Sequence, residues 1–166
     1  IRKKSNVTKK LEKLSIADSF RALRFAQIAV ILIDADSPLD HQDMALISAA
    51  IKEGRAIVFA NNKIDIIKEN KENFLKEIRL QIQETFTEID GAAIVGISAK
   101  TGYNVNKILD YILKSYEEWQ KKIPTNKLNK WLKEVEAKHS PKRIKWKTTK
   151  LKYISQIKTR PPTFVI

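Results

Sequence analysis

RAIVFANNKID, residues 55–65, is a continuous apolar run rich in β-branched and aromatic side chains that ends abruptly in two asparagines, a lysine and an aspartate. A strand that is apolar on both parities is expected to be covered on both faces, as in a parallel sheet. Two further runs of the same kind flank it: IAVILID at residues 28–34 and AAIVGIS at residues 92–98. Between and around them lie segments with helical spacing, at residues 19–25, 40–53, 72–88 and 105–121. Strands that alternate with helices imply βαβ units with right-handed crossovers, hence an open α/β sheet. Such sheets bind ligands in the crevice at the carboxyl ends of their strands. That directs attention to the loops after Ile33, Ala60 and Ile97.

Two of those loops carry the chemistry. The central run continues into Asn62-Lys63-Ile64-Asp65, and the third into Ser98-Ala99-Lys100, followed by Thr101-Gly102. Guanine presents a ring N–H and an exocyclic amine side by side, and one carboxylate on a rigid loop can accept from both. Asp65 is the residue placed for that task. Adenine has no such pair of donors, so a site built around Asp65 rejects it by leaving a carboxylate unpaired. Lys63 is expected to lay its methylene stem over one face of the base and Lys100 over the other, each with its ammonium in water. Asn62 would brace the loop, the Ser98 hydroxyl would steady Asp65, and the Ala99 amide would donate to the base oxygen. The bland alternative is a simple Asn/Asp turn between strand and helix. Asp34 and Asp36, after the first strand, read as turn and cap residues before the helix at Asp40 and not as metal ligands. No metal site is expected.

Charge divides the chain. Of the formal net +13, residues 1–13 carry +5, residues 14–123 carry −2 and residues 124–166 carry +10, the last from twelve basic groups against two acidic ones. A near-neutral middle with basic ends places a domain boundary near Pro124 and gives the C-terminal piece an attraction for polyanions. A lysine-biased proteome is the alternative source of that charge. After Pro124, Leu128, Trp131, Leu132 and Val135 recur at helical spacing to about Lys138, and Pro141 closes the helix. Residues 144–157 and 163–166 read as strands, with Pro161-Pro162 between them as a turn or an edge entry. Trp119 and Trp131 fall on apolar faces and are expected to pack in a core or between domains. Trp146 lies among Arg143, Lys145, Lys147 and Lys150, where a half-buried strand position competes with stacking on a nucleobase. His41 and His139 have no partners at ligand spacing and read as surface or capping residues. There is no cysteine and no apolar run of the roughly 18 residues a membrane span needs. No membrane partner is therefore expected, and the cytoplasm is the expected location.

These motifs in this order, followed by Ile123-Pro124-Thr125, Leu128-Asn129, Trp131-Leu132, His139 and Thr159-Arg160-Pro161-Pro162-Thr163-Phe164-Val165, resemble the bacterial ribosome-assembly GTPases of the EngA (Der) family. The resemblance covers essentially the whole chain. It implies a P-loop GTPase (Ras-like) parallel sheet whose N-terminal part is missing, over residues 1–122, and then the start of an incomplete α+β KH-like domain, over residues 123–166. Residues 1–14 would form the switch II loop, with Arg2, Lys3, Lys4, Lys9 and Lys10 as its basic stretch. The guanine-binding set implied is Asn62, Lys63, Ile64, Asp65, Ser98, Ala99 and Lys100. Lys142, Arg143, Lys145 and Lys147 are the candidates for contact with RNA.

The departures carry equal weight. No G-x-x-x-x-G-K-[ST] occurs between Ile1 and Ile166, and Ile1 is not an initiator methionine. The cofactor implied is GTP or GDP, while the ligands of the Mg²⁺ that the family implies would lie outside this chain, which alone is expected to be inactive. No catalytic residue is assigned within it. No G-x-x-G clamp loop is present either, so the usual KH route to RNA is not available here. The function implied is GTP hydrolysis as a conformational switch in large-subunit ribosome biogenesis. The partners would be ribosomal RNA or the large subunit and the missing first G domain of the same protein, in a monomer. The competing reading is a constitutive RNA-binding adaptor with a vestigial nucleotide site.

Overall fold

The computed structural model describes residues 17–68, 70–138 and 151–166. The chain divides into two units, one ending at Glu117 and the other beginning at Glu118.

The first unit is built on three parallel strands: β1 (Ile28–Asp34), β2 (Ala56–Asn62) and β3 (Ala93–Gly96), in the order β1-β2-β3. The register pairs Ile28 with Ala56 and Asp34 with Asn62, and Asn61 with Gly96, so the carboxyl ends of all three strands finish together. Helix α1 occupies the described residues 17–25. Helix α2 (His41–Lys52) starts at the N-cap Asp40, whose carboxylate accepts from the N–H groups of Gln42 and Asp43, with Asp43 returning the bond. Helix α3 (Lys71–Thr85) is capped by Asn70, which accepts from the N–H groups of Glu72 and Asn73, and α4 spans Lys107–Trp119.

Ile47 and Ala50 of α2 and Ile78 and Ile82 of α3 bury against Ile31, Ile33, Ile57 and Phe59, the last fully enclosed at the sheet centre. On the opposite face Ile108 and Tyr111 of α4 cover Ala60, Val95 and Ile97. The expectation that every strand is covered on both faces holds for β2, buried at all but its end residues, but not for β1. Val30 and Leu32 on β1 are exposed, because among the described residues α4 covers only the β2–β3 side.

Boundaries moved where local chain geometry overrode periodicity. The helix read over residues 72–88 ends at Thr85, since Phe86 leaves helical geometry and a 3₁₀ turn (Thr87–Ile89) follows. In the second unit, α5 (Thr125–Lys138) is followed by an antiparallel hairpin of β4 (Ser155–Thr159) and β5 (Pro162–Val165). The strand read over 144–157 is thus shorter in its described part: residues 151–154 are not strand. Arg160–Pro161 is a cis peptide, and Pro162 opens β5 opposite Thr159, at a strand start where a missing N–H is tolerated. Pro141, His139 and Trp146 lie outside the described residues.

The core of this second unit is small: Leu128, Leu132 and Ile154, with Ile123 and Leu151 against them. A polar clasp supplements it. Asn129 donates to the Ile154 carbonyl at 3.0 Å and accepts from the Ile154 N–H at 3.1 Å, pairing a side chain with a backbone as a neighbouring strand would. Trp119 is buried as expected, but Trp131 is 52% exposed and lines a groove instead of a core. Asn129→Ala leaves both backbone groups of the buried Ile154 without that partner, which costs about 1–3 kcal/mol. Native-state hydrogen exchange should show the Ile154 amide opening correspondingly more often, with protection on β2 unchanged.

Candidate functional site

The carboxyl ends of β1, β2 and β3 open into three adjacent loops. The Ile97 N–H donates to the Asn61 carbonyl and the Ile64 N–H to the Ile97 carbonyl, so the loops after β2 and β3 are laced together by backbone bonds of 2.8 and 3.0 Å. Asn62 adds a side-chain tie by accepting from the Ala99 N–H through Oδ1 at 2.9 Å. Its bracing role is thus a physical link across 37 residues of chain. The same bond engages the Ala99 N–H, the amide expected to serve a base oxygen, with Asn62.

Ile64, counted with the binding set in the sequence, is buried. Its side chain is 1% exposed, and Gly96 lies so close that an added Cβ would stand 3.2 Å from Ile64 Cγ1. Ile64 therefore anchors the 3₁₀ turn (Ile64–Ile66) to the sheet and presents nothing to a ligand. That anchorage turns the next residue, Asp65, outward into solvent.

Asp65 is held by the fully buried Ser98. The Ser98 hydroxyl donates to the carboxylate and itself accepts from the Thr101 N–H at 3.2 Å. This bond, a backbone donor and the positive fields of Lys100 and Lys71 hold the Asp65 carboxyl below the ordinary carboxylate range, against a smaller opposing effect of burial. Lys100 is exposed beside it.

Lys63 departs from expectation. Its backbone is left-handed, with φ 63° and ψ 28°, and its ammonium pairs with Asp34 Oδ2 at 2.5 Å instead of standing free in water. Asp34 has the turn role read from the sequence, accepting the Asp36 N–H through Oδ1 at 3.1 Å, but the ion pair was not foreseen. Nothing local marks it, because the two residues meet only through the β1–β2 register.

Two more contributors escaped the sequence. Asn104, left-handed at φ 54°, donates from Nδ2 to the Gly96 carbonyl at 3.2 Å and pins the far end of the third loop. Asparagine tolerates that conformation better than other residues with a Cβ, which was the only available signal. Lys71, at the start of α3, places its ammonium 5.3 Å from the centre of the Tyr103 ring.

The arrangement offers a fixed, ionised acceptor beside a lysine stem, which suits a planar heterocycle carrying adjacent donors. It does not suit Mg²⁺. Among the described residues no three carboxylate, imidazole or thiol groups converge, and the Asp34 carboxylate is already paired with Lys63. Lys142, Arg143, Lys145 and Lys147, and the stretch 1–14, lie outside the described residues. No helix among the described residues is long and apolar enough to cross a membrane.

Comparison with known proteins matches residues 16–118 to the elongation factor Tu GTP binding domain, and residues 122–166 to the KH-domain-like region at the C-terminus of EngA bacterial GTPases. The GTPase Der of Ruegeria pomeroyi is 43% identical over all 166 residues, and that of Parvibaculum lavamentivorans 39%. The chain spans about a third of the length of these curated relatives, 34% and 35%. The resemblance to EngA (Der) is thus shown along the whole chain. Era of Aquifex aeolicus bound to GDP and aluminium fluoride is similar over 58% of this chain and 31% of its own, with 26% identity and a TM-score of 0.50. Era in complex with MgGDPNP and nucleotides 1506–1542 of 16S ribosomal RNA matches over the same shares at 25% identity and a TM-score of 0.50. A probable GTP-binding protein engB, at 18% identity and a TM-score of 0.51 over 69% of each chain, shares the fold.

The Ser98 bond has a measurable signature. Because the folded state favours ionised Asp65, the resulting stabilisation is present above the ordinary carboxylate range and is lost as pH falls through the lowered pKa. Ser98→Ala should raise the Asp65 pKa, because it removes the largest influence that lowers it while burial, which opposes ionisation, remains. A carbon-detected NMR titration of the side-chain carboxyls reads this directly.

Proposed function

This chain belongs to the GTP-binding family typified by the elongation factor Tu domain, and from that premise we propose that its β2 and β3 loops read guanine. The observation that carries the reading is the exposed Asp65 carboxylate, kept ionised by the buried Ser98 at the carboxyl end of a parallel sheet. Asp65 accepts the ring N–H and the exocyclic amine of the base. The Lys63 and Lys100 stems flank the base plane, while Asn62 holds the two loops at fixed separation and Ile64 fixes the turn that presents Asp65. Ser98 and Ala99 act from the third loop, Ser98 on the carboxylate and Ala99 on Asn62.

GTP or GDP is the ligand of this reading, and the γ-phosphate supplies the energy of a switch when hydrolysed. No residue of this chain is given a part in the hydrolytic step: no phosphate-binding motif lies within residues 1–166, and Mg²⁺ has no fitting ligands among the described residues. Hydrolysis is therefore assigned to the complete gene product and not to this chain alone. The working role is that of an EngA-type assembly factor of the large ribosomal subunit, acting in the cytoplasm. Residues 1–122 would belong to its second G domain and 123–166 to its KH-like domain, beside a first G domain of the same protein, in a monomer. Contact with ribosomal RNA is supported by the +10 on residues 124–166 and by Era, whose structure was solved with an RNA segment. Era's RNA is from the small subunit, so the large subunit rests on the EngA resemblance alone.

The guanine reading is tested in the complete gene product by Asp65→Asn. The variant should lose its preference for GTP and accept XTP, whose second carbonyl faces the new amide. Competition binding among GTP, ATP and XTP decides it, and an unchanged preference for GTP removes Asp65 from the site. The RNA reading predicts a steep loss of ribosomal RNA affinity with added salt. Replacing Lys142, Arg143, Lys145 and Lys147 together with Gln should flatten that slope by about one unit for each phosphate no longer neutralised, at unchanged guanine nucleotide affinity. An unaltered slope would assign the basic charge to proteome bias.

A further inference from the structure

We propose that Asp34 is a positioning residue for base recognition: from the end of β1 it grips the Lys63 ammonium and so lays out the lysine stem beside Asp65 before any nucleotide arrives. The proposal rests on the guanine reading above and adds to it a residue from a third loop, which carries none of the motif residues.

Three observations carry it. The first is the backbone of Lys63, which is left-handed at φ 63°. A side chain with a Cβ is disfavoured there and glycine would be relaxed, so a lysine held in that conformation points to a task for its side chain. The second is the fixity of its partner. Asp34 pairs with Asn62 in the β1–β2 ladder, the adjacent Ala35 N–H donates to the Asn62 carbonyl at 2.9 Å, and Asp34 Oδ1 accepts the Asp36 N–H. Only Oδ2 is then turned to Lys63, at 2.5 Å. The third is redundancy in the fold. The seven residue pairs of the β1–β2 ladder and the core beneath already join these strands, so an ion pair between two half-exposed side chains adds little to holding them together.

What the pair does add is order. A lysine stem has many rotamers, and a base that stacks on a free stem must immobilise it at its own expense. A stem already tied at its tip presents its methylenes preorganised, and the ordering cost leaves the binding step. The charges agree with this geometry. The mutual hydrogen bond is the largest influence on both groups, raising the Lys63 pKa and lowering that of Asp34, and Asp36 adds its field to Lys63. The other carboxylate of the neighbourhood, Asp65, is held by Ser98 and is faced by Lys100 and Lys71.

The test is made in the complete gene product by stopped-flow release of a fluorescent GDP analogue. Asp34→Asn keeps an oxygen for the Asp36 N–H and removes only the charge. It should weaken GDP binding by about two- to fivefold, the range of an exposed ion pair, with an unchanged thermal midpoint. Lys63→Met keeps an unbranched stem without the ammonium. If Asp34 acts through Lys63, the double variant Asp34→Asn/Lys63→Met should bind GDP no more weakly than Lys63→Met alone, whereas a structural role for Asp34 would multiply the two losses. Asp65→Asn is run in parallel. A switch to xanthine together with a silent Asp34→Asn, or with multiplied losses in the double variant, overturns the proposal and leaves the guanine site standing. No switch to xanthine removes the site, and this proposal with it.

Discussion

The burial of β2 at all but its end residues is the constraint on which the first unit depends. A strand with a neighbour on each edge and side chains enclosed on both faces has no freedom to shift its end, so whatever follows it is placed by the sheet. The cost of shifting it is high: a slip by one residue would exchange Phe59 with Ala60 between two differently shaped cores. Asn62, Lys63, Ile64 and Asp65 inherit that rigidity. Loops can thus carry recognition in this fold because each starts from an immobile strand end and is tied to the next by a bond such as Asn62 to Ala99.

The strands were legible because short, continuously apolar runs rich in β-branched residues have a composition that little else shares, and because both motif loops begin where those runs end. Asp65 and Ser98 were legible for a related reason: their hydroxyl–carboxylate bond joins the ends of adjacent strands, and adjacency follows from the βαβ order. What remained hidden was every feature decided by register or by competition for a donor. The Ala99 amide could serve a base or Asn62, and spacing cannot rank the two. Lys63 could stand in water or find an anion, and that anion, Asp34, sits on another strand, visible only once Asp34 and Asn62 are known to be paired. Ile64 was counted with its neighbours because a motif is read as a string, whereas its direction is set by the close approach permitted at Gly96.

Asn61 and Asn62 show how strongly strand parity divides identical residues. Asn62 reaches the third loop and spends its oxygen there. Asn61, one position earlier, has its side chain turned the other way and fully enclosed, and neither its carboxamide oxygen nor its nitrogen has a partner among the described residues. An unpaired buried amide costs about 1–3 kcal/mol, a substantial fraction of what holds a small domain together. The sheet therefore carries an unmet polar demand immediately behind the loop that begins at Asn62. That is a local conflict of the kind found near functional sites more often than elsewhere.

The second unit solves a different problem with fewer resources. Leu128, Leu132 and Ile154 are too few to define a structure by packing alone, and a single hairpin is marginal in water. Polar groups with fixed geometry supply the missing definition. Asn129 clasps Ile154, while Gln156 accepts from the Ile123 N–H at 2.7 Å and donates to the Lys121 carbonyl at 3.1 Å. Each of these amides joins the hairpin region to α5 or to the segment before it, where a larger domain would use buried area. Directional bonds of this sort leave apolar surface uncovered: Trp131, Phe164 and Ile166 are exposed around a groove of about 590 Å³. They also leave the surface open to charge, since a unit held by amides has no need of acidic partners for its lysines. The twelve basic groups against two acidic ones in residues 124–166 give that stretch a long-range positive field.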